Sequence, residues 1–310
     1  MSICFTFPGQ GSQKVGMGRD LADAFPAARE VFEEVDDALG SSLTTIMWEG
    51  PEETLTLTEN TQPALLAVSM AAIRAMDAEG FGVAETASYV AGHSVGEYVA
   101  LTAAGTFSLT DAARLVRVRG QAMQRATPVG EGGMAAILGL EFDVVAQIAA
   151  DAAENQICQA ANDNSIGQVV VSGNMTAVER AVNLAKERGA QRAIILPVSA
   201  PFHSDLMAPA AEEMAAALAN VQINPPVVPL IANVTASPIS DPTEIRTRLV
   251  EQVTGNVRWR ESVLWMAANG VDTLYEIGAG KVLTGLVRRI DRSLTARAIN
   301  TPDDVNALKA

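Results

Sequence analysis

The run Gly92-His93-Ser94-Val95-Gly96 has the pattern G-x-S-x-G, a spacing that suits an activated serine nucleophile. The apolar run Tyr89-Val90-Ala91 leads into it, and an apolar-periodic stretch with Val99, Ala100 and Ala103 follows. A strand that turns sharply into a helix through this pattern strains the serine corner and exposes its hydroxyl. It also leaves the next backbone N–H at a helix N-terminus. The flanking glycines have a steric reason, because side chains there would collide with the neighbouring strand and helix as the backbone folds back. A turn that merely contains a serine is the plain alternative; the strand and helix patterns on both sides favour the nucleophile.

A serine nucleophile needs a proton acceptor, and the chain has two histidines, His93 and His203. His93 adjoins Ser94 on the sharp turn, where its ring would point away from the hydroxyl. That leaves His203, in the Pro-flanked loop 197–204, as the candidate base. An isolated histidine in such a loop is more often structural, but elimination within this chain shifts the balance toward catalysis. A third candidate lies on the next helix, which Thr110-Asp111 should cap and which should run to about residue 126. At about 100° per residue, Ala112, Leu115, Val116, Ala122, Met123 and Ala126 form one apolar stripe, and Arg119 falls inside it. An unpaired guanidinium in a dry interior costs several kcal/mol, so Arg119 needs a carboxylate. Either another side chain supplies it as a structural ion pair, or the site awaits a substrate carboxylate that Arg119 would hold bidentately. A glycine-rich loop, Pro8-Gly9-Gln10-Gly11-Ser12-Gln13, follows the first apolar run, Ile3-Cys4-Phe5-Thr6-Phe7. It lacks both G-x-G-x-x-G and the lysine of a Walker loop, so it reads as an oxyanion or substrate loop, or as a plain tight turn.

Composition limits the setting. With 310 residues, 48% hydrophobic and 19% charged, the chain is long enough for one large domain or two modest ones. A formal net charge of −14 repels nucleic acid and anionic membranes, so an anionic partner must be met by a local basic patch. Cys4 and Cys158 form no C-x-x-C, which argues against disulfide, zinc or dithiol chemistry and fits a reducing compartment. With no basic leader and no run of about 18 apolar residues, the expected location is the cytoplasm.

The elements that must position these residues follow from patterning. Helices are expected over 20–39 and 64–78, the latter capped by Asn60-Thr61-Gln62-Pro63. The helix carrying Arg119 ends where Pro128, Gly130, Gly132 and Gly133 break the pattern. Beyond that break come strands 134–140, 157–161, 168–172 and 192–198, with helices 142–154 and 177–188. The order βαββαβ is that of a ferredoxin-like unit inserted in a larger domain. Its polar segment Asn162-Asp163-Asn164-Ser165 reads as a flexible, solvated hairpin connection, or as a segment facing the cleft. Later come helix 208–219, strand 228–233, a helix from Asp241-Pro242 to about residue 253 with Gln252 near its end, and helix 259–268. Strand 273–277 then turns through Gly278-Ala279-Gly280-Lys281, which is no Walker loop because Val282 stands where Ser or Thr would ligate magnesium. The tail 300–310 shows no chemistry.

Together these residues resemble the malonyl-CoA:acyl carrier protein transacylase family of fatty-acid synthesis over nearly the whole chain. The motifs are Phe7 to Gln13, Gly92 to Tyr98, Arg119, Ala200-Pro201-Phe202-His203, Gln252 and Tyr275-Glu276-Ile277-Gly278, in that order. The resemblance implies an α/β fold with a hydrolase-like parallel-sheet core, formed by 1–127 and 199–310, and an inserted ferredoxin-like subdomain, 128–198. It implies Ser94 as nucleophile, His203 as acid–base and Arg119 as malonyl clamp, with the backbone N–H groups of Gln10 and Val95 as oxyanion hole. A main-chain carbonyl near Gln252 would orient the histidine, so no third carboxylate is required. Phe202 resembles the bulky residue of malonyl-selective members, and Asn162 is a further candidate for the acyl pocket. The expected substrates are malonyl-CoA and a phosphopantetheinylated acyl carrier protein, with no metal or cofactor, no nucleic acid or membrane, and a monomeric enzyme. Two rivals remain: a serine esterase or thioesterase, which predicts an Asp or Glu partner for His203, and a catalytically dead carrier-docking module.

Overall fold

The computed structural model describes residues 2–309. Ten strands form two sheets. The first contains β1 (Ile3–Phe7), β2 (Tyr89–Gly92), β7 (Leu230–Ala232), β8 (Ser237–Ile239), β9 (Thr273–Ile277) and β10 (Thr295–Ile299), in the order β10-β9-β1-β2-β7-β8. All neighbours are parallel except β8, which closes one edge as an antiparallel hairpin with β7. Alternation along the strands shows why this sheet is buried on both faces. Phe5, Phe7, Val90 and Leu230 enter one apolar cluster, whereas Cys4, Ala91, Ile231 and Leu274 enter the other. Strand β1 lies inside the sheet, with β2 and β9 on its two sides, so the loops after β1 and β2 emerge side by side at the same sheet end.

The second sheet is antiparallel, with the order β4-β5-β3-β6 from β3 (Gly132–Leu138), β4 (Cys158–Ser165), β5 (Gln168–Asn174) and β6 (Arg192–Ile195). Helices Phe142–Ala153 and Met175–Glu187 complete the βαββαβ order, and their apolar faces share a third cluster with Ala135, Ile137 and Val171. This is the ferredoxin-like arrangement expected from patterning.

Several local expectations are corrected. The polar stretch 162–165 is no flexible connection: it is the end of β4, with Asn162, Asp163 and Ser165 buried. Register irregularities at 160/162 and 163/165 accommodate its polar side chains, and the hairpin turn lies instead at Ile166-Gly167. The helix expected over 20–39 is two, Arg19–Ala24 and Pro26–Leu39, because proline favours the first position of a new helix. The helix expected from residue 64 starts at Thr58 and keeps Pro63 inside it. Its early turns are tied down by Thr61 Oγ1 donating to the Leu55 carbonyl (2.6 Å) and Asn60 Nδ2 to that of Thr54 (2.9 Å). The helix carrying Arg119 runs Leu109–Ala126, and Ser108 rather than Thr110-Asp111 caps it, its hydroxyl accepting from the Asp111 N–H. The strand expected to reach residue 198 ends at Ile195. Strands β8 and β10 are short or edge elements that the pattern did not reveal, and the tail forms helix Pro302–Asn306.

Candidate active site

The turn after β2 places Ser94 at φ 54°, ψ −112°, outside the regions open to most L-residues, and helix Val95–Ala103 follows at once. Glycine is required on both sides. A Cβ on Gly92 would lie 1.9 Å from the Gly96 carbonyl, and one on Gly96 would lie 2.2 Å from the Phe7 carbonyl oxygen. The strain persists because packing on both sides dictates it. The Ser94 N–H donates to Asn233 Oδ1 (2.9 Å), while Asn233 Nδ2 donates to the Gly92 carbonyl (2.6 Å).

His203, also at positive φ (58°), reaches the serine from the opposite side, with Nε2 2.8 Å from Ser94 Oγ. Its Nδ1 faces the main-chain carbonyls of Gln252 (2.9 Å) and Gly255 (3.1 Å). Two carbonyl acceptors require a proton on Nδ1, which leaves Nε2 unprotonated toward the hydroxyl. Burial, followed by the nearby Arg119 charge, pushes the His203 pKa down to about 3, so the ring is neutral at physiological pH. His93 points away, its Nε2 2.8 Å from Asn164 Oδ1 on β4 and its ring tilted against Trp259.

Arg119 is 1% exposed, and no carboxylate comes within 4.0 Å of it among the described residues. The carboxylate that sequence reasoning asked for is therefore not supplied by the chain as an ion pair. Neutral oxygens take its place: Nη1 donates to Gln62 Oε1 (2.8 Å), and Nη2 donates to Gln252 Oε1 (2.9 Å) and Ser94 Oγ (3.2 Å). Nε is buried without a partner, and the Tyr98 ring lies 5.5 Å from the guanidinium carbon. Gly120 makes the Gln62 contact possible, since a Cβ there would sit 2.7 Å from the Glu59 backbone and push the two helices apart.

These groups line a cavity of about 550 Å³ between the two sheets, with Gln10 and Val95 on one side and Asn162, Phe202 and Leu196 on the other. The backbone N–H groups of Gln10 and Val95 have no hydrogen-bond acceptor among the described residues, and the side chain of Gln10 accepts from Thr58 Oγ1 (2.8 Å). Every site residue singled out from sequence except Gln252 lines this cavity. Gln252 stands behind it as a hub, touching Arg119, Ser94, Glu97 and, through its carbonyl, His203. Sequence reasoning missed Gln62, Glu97 and Asn233, while Asn164 lay in the polar segment it allowed to face the cleft. Glu97 carried a signal, being a carboxylate on an otherwise apolar helix; the amides carried none, since an amide's role depends on what faces it.

An acyl transferase domain family matches residues 4–301. The malonyl CoA-acyl carrier protein transacylase of Bacillus subtilis is 46% identical over 304 residues, covering 98% of this chain and 95% of that relative. The crystal structure of an acyl-carrier-protein-S-malonyltransferase from Bartonella henselae superposes with a TM-score of 0.98 at 58% identity, covering 99% of this chain and 98% of the other. A malonyl-transacylase solved in complex with a type II PKS acyl-carrier protein superposes with a TM-score of 0.96 at 43% identity, covering 99% and 98%. With an elbow serine, an imidazole and an unpaired arginine converging on one cavity, and with whole-length likeness to these enzymes, the chain belongs to the acyl transferase family, in its malonyl-CoA:acyl carrier protein transacylase branch.

Proposed function

We propose that the chain transfers the malonyl group of malonyl-CoA to the phosphopantetheine thiol of an acyl carrier protein, through a malonyl ester on Ser94. Ser94 Oγ attacks the thioester carbonyl while His203 Nε2 takes its proton, and the coenzyme A thiolate leaves, protonated by the imidazolium. The free N–H groups of Gln10 and Val95 are the donors for the developing oxyanion. The carrier thiol then gives its proton to His203 and attacks the ester, regenerating Ser94. Each proton is handled by Ser94 and His203 and the oxyanion charge by backbone N–H groups, so the steps call for no metal or cofactor.

The observation that carries this reading is Arg119: a buried guanidinium beside the nucleophile, held only by neutral oxygens and with Nε–H unpartnered. A malonyl carboxylate supplies the missing charge and acceptors; an acetyl group leaves both unmet. The esterase reading loses support because His203 Nδ1 faces main-chain carbonyls instead of the Asp or Glu it predicts. The likeness to a transacylase solved with its acyl carrier protein supports the same choice of acceptor. Two buried free thiols accord with a reducing compartment such as the cytoplasm; among the described residues no helix is long and apolar enough to cross a membrane.

The test is intact-mass analysis after mixing with malonyl-CoA alone. A malonyl adduct is expected on the native chain and none on Ser94→Ala, and adding carrier should discharge it as malonyl-carrier. Release of free malonate at the same rate with or without carrier would make the enzyme a hydrolase.

A further inference from the structure

Three acidic side chains stand out as almost wholly buried among the described residues: Glu97, Asp163 and Glu276. Asp163 is paired with Arg260, and Glu276 accepts the N–H groups of Leu283 and Thr284 at the start of a helix. Glu97 stands in the first turn of its own helix but accepts none of that helix's N–H groups, has no cation within 4.0 Å, and nothing in the acyl-transfer steps uses it. Its Oε2 accepts from Gln252 Nε2 (2.8 Å) and from the Asn233 N–H (3.1 Å), while Oε1 has no partner. A carboxylate in such surroundings is costly unless its charge is used.

The use lies one amide away. Gln252 Nε2 is surrounded by acceptors, namely Glu97 Oε2, the Ser94 carbonyl (2.9 Å) and Asn233 Oδ1 (3.2 Å), so its Oε1 must face outward. That oxygen meets Arg119 Nη2 at 2.9 Å. Were the amide reversed, its oxygen would face a carboxylate and a carbonyl, and its NH₂ would face a cation. Resting on the malonyl-transfer reading, we propose that Glu97 is a positioning residue for specificity: it locks the Gln252 amide and supplies Arg119 with a counter-charge through that amide. A carboxylate in direct contact would occupy the guanidinium; at one amide's remove it helps keep Arg119 charged and aimed, with Nη2 held beside Ser94 Oγ at 3.2 Å. The counter-charge is itself costly to hold, being only partly present at neutral pH and growing as the pH rises. Burial pulls the Arg119 pKa down, with Tyr98 and Glu97 opposing that pull, and burial raises Glu97 to about 7 against the lowering effects of Gln252, Asn233 and Arg119.

Glu97→Gln separates the charge from the hydrogen bond, because it keeps an acceptor oxygen at the same reach. Three readouts on wild type and variant decide the matter: Ser94 acylation by malonyl-CoA and by acetyl-CoA, inactivation by the neutral serine reagent phenylmethanesulfonyl fluoride, and thermal unfolding. In the variant the malonyl-to-acetyl preference should fall about tenfold or more, chiefly through a higher KM for malonyl-CoA, the scale of a lost charge-assisted contact. Sulfonyl fluoride inactivation should stay within about twofold, because Ser94 and His203 are untouched. An unchanged preference in a folded variant overturns the inference. So does a variant that fails to fold or loses both reactivities alike, since Glu97 would then be merely structural. A wild type that forms no malonyl adduct overturns the functional reading and this inference with it; a normal wild type beside an unchanged variant overturns this inference alone.

Discussion

Arg119 and His203 are coupled through a shared burial. The Arg119 charge helps to keep His203 neutral, so removing it should move the imidazole back toward its ordinary value of 6.5. In the free enzyme, Ser94 reactivity toward phenylmethanesulfonyl fluoride should therefore hold as pH falls well below 6.5, and in Arg119→Ala its acid limb should lie at higher pH. A limb that stays in place would remove Arg119 from the causes of the shift. The linkage has a definite sign. The folded state binds this proton more weakly than the unfolded chain, so the stability tied to neutral His203 is complete above about 6.5 and is lost as pH falls toward 3. Arg119→Ala should also slow acylation by malonyl-CoA at least a hundredfold, since a charge-assisted pair in a shielded site is worth about 3 kcal/mol or more. Acetyl transfer should suffer less. Phe202, 9% exposed on the cavity wall, should crowd a branched acyl chain. Phe202→Ser should admit methylmalonyl-CoA by about tenfold, the scale of one methyl group, measured as the ratio of the two acylation rates.

At the scale of elements, the elbow is held from outside. A Cβ on Gly92 would meet backbone of the helix it feeds, which cannot swing aside as a flexible side chain can. Gly92→Ala should cost about 3 kcal/mol, the upper end of ordinary overpacking, and should abolish serine acylation even in the fraction that folds. A thermal midpoint within about a degree of wild type would show that the turn has slack. The end of β4 is the second element that sets the site. The Asp163 N–H donates to the Val257 carbonyl (3.0 Å), Val257 N–H to Ala161 (2.9 Å) and Asn256 Nδ2 to Ala160 (2.8 Å). Through these bonds the inserted sheet is sewn to the segment just past Gln252, with Asn164 touching His93 beside the nucleophile. Arg260 clasps Asp163 with contacts of 2.8–3.0 Å, yet burial raises the Asp163 pKa more than Arg260 lowers it, so much of the attraction is spent on desolvation. Arg260, which keeps contact with water, is stabilised as a cation. Asp163→Asn should therefore destabilise by about 2 kcal/mol, less than a fully buried pair, read as a lower thermal midpoint. No change in midpoint would mean that the backbone bonds alone hold the seam.

For the whole molecule, a net charge of −14 opposes general attraction to any anionic partner. An acidic carrier would have to dock on local cations. Arg188 is engaged by Asp151 and Arg289 by Gln168, which leaves Lys186 with Arg192, or Arg288 with Arg292, exposed without a salt bridge among the described residues. Charge reversal in the pair that meets the carrier should raise the KM for carrier several-fold at low salt and spare malonyl-CoA. If neither pair responds, docking is not electrostatic at these positions.

The elbow was legible in the sequence because its chemistry is local: the glycines and serine must be neighbours, and the strand and helix around them announce themselves by apolar period. The inward arginine was legible because one charged side chain broke a helical stripe, and the second histidine because the chain offers only one other. The βαββαβ order survived errors of several residues at the ends of its elements, since order depends on alternation and not on boundaries. What the sequence could not decide was what those groups face. Whether 162–165 was loop or strand depended on its pairing with β5, and whether Arg119 met a carboxylate or an amide, and which amides held the site, depended on segments brought together from far apart in the chain, 57 positions for Gln62 and Arg119, 71 for His93 and Asn164 and 133 for Gln252 and Arg119. Hydrogen-bond partners are chosen by distance and direction across a packed interior, and only the tertiary structure fixes those.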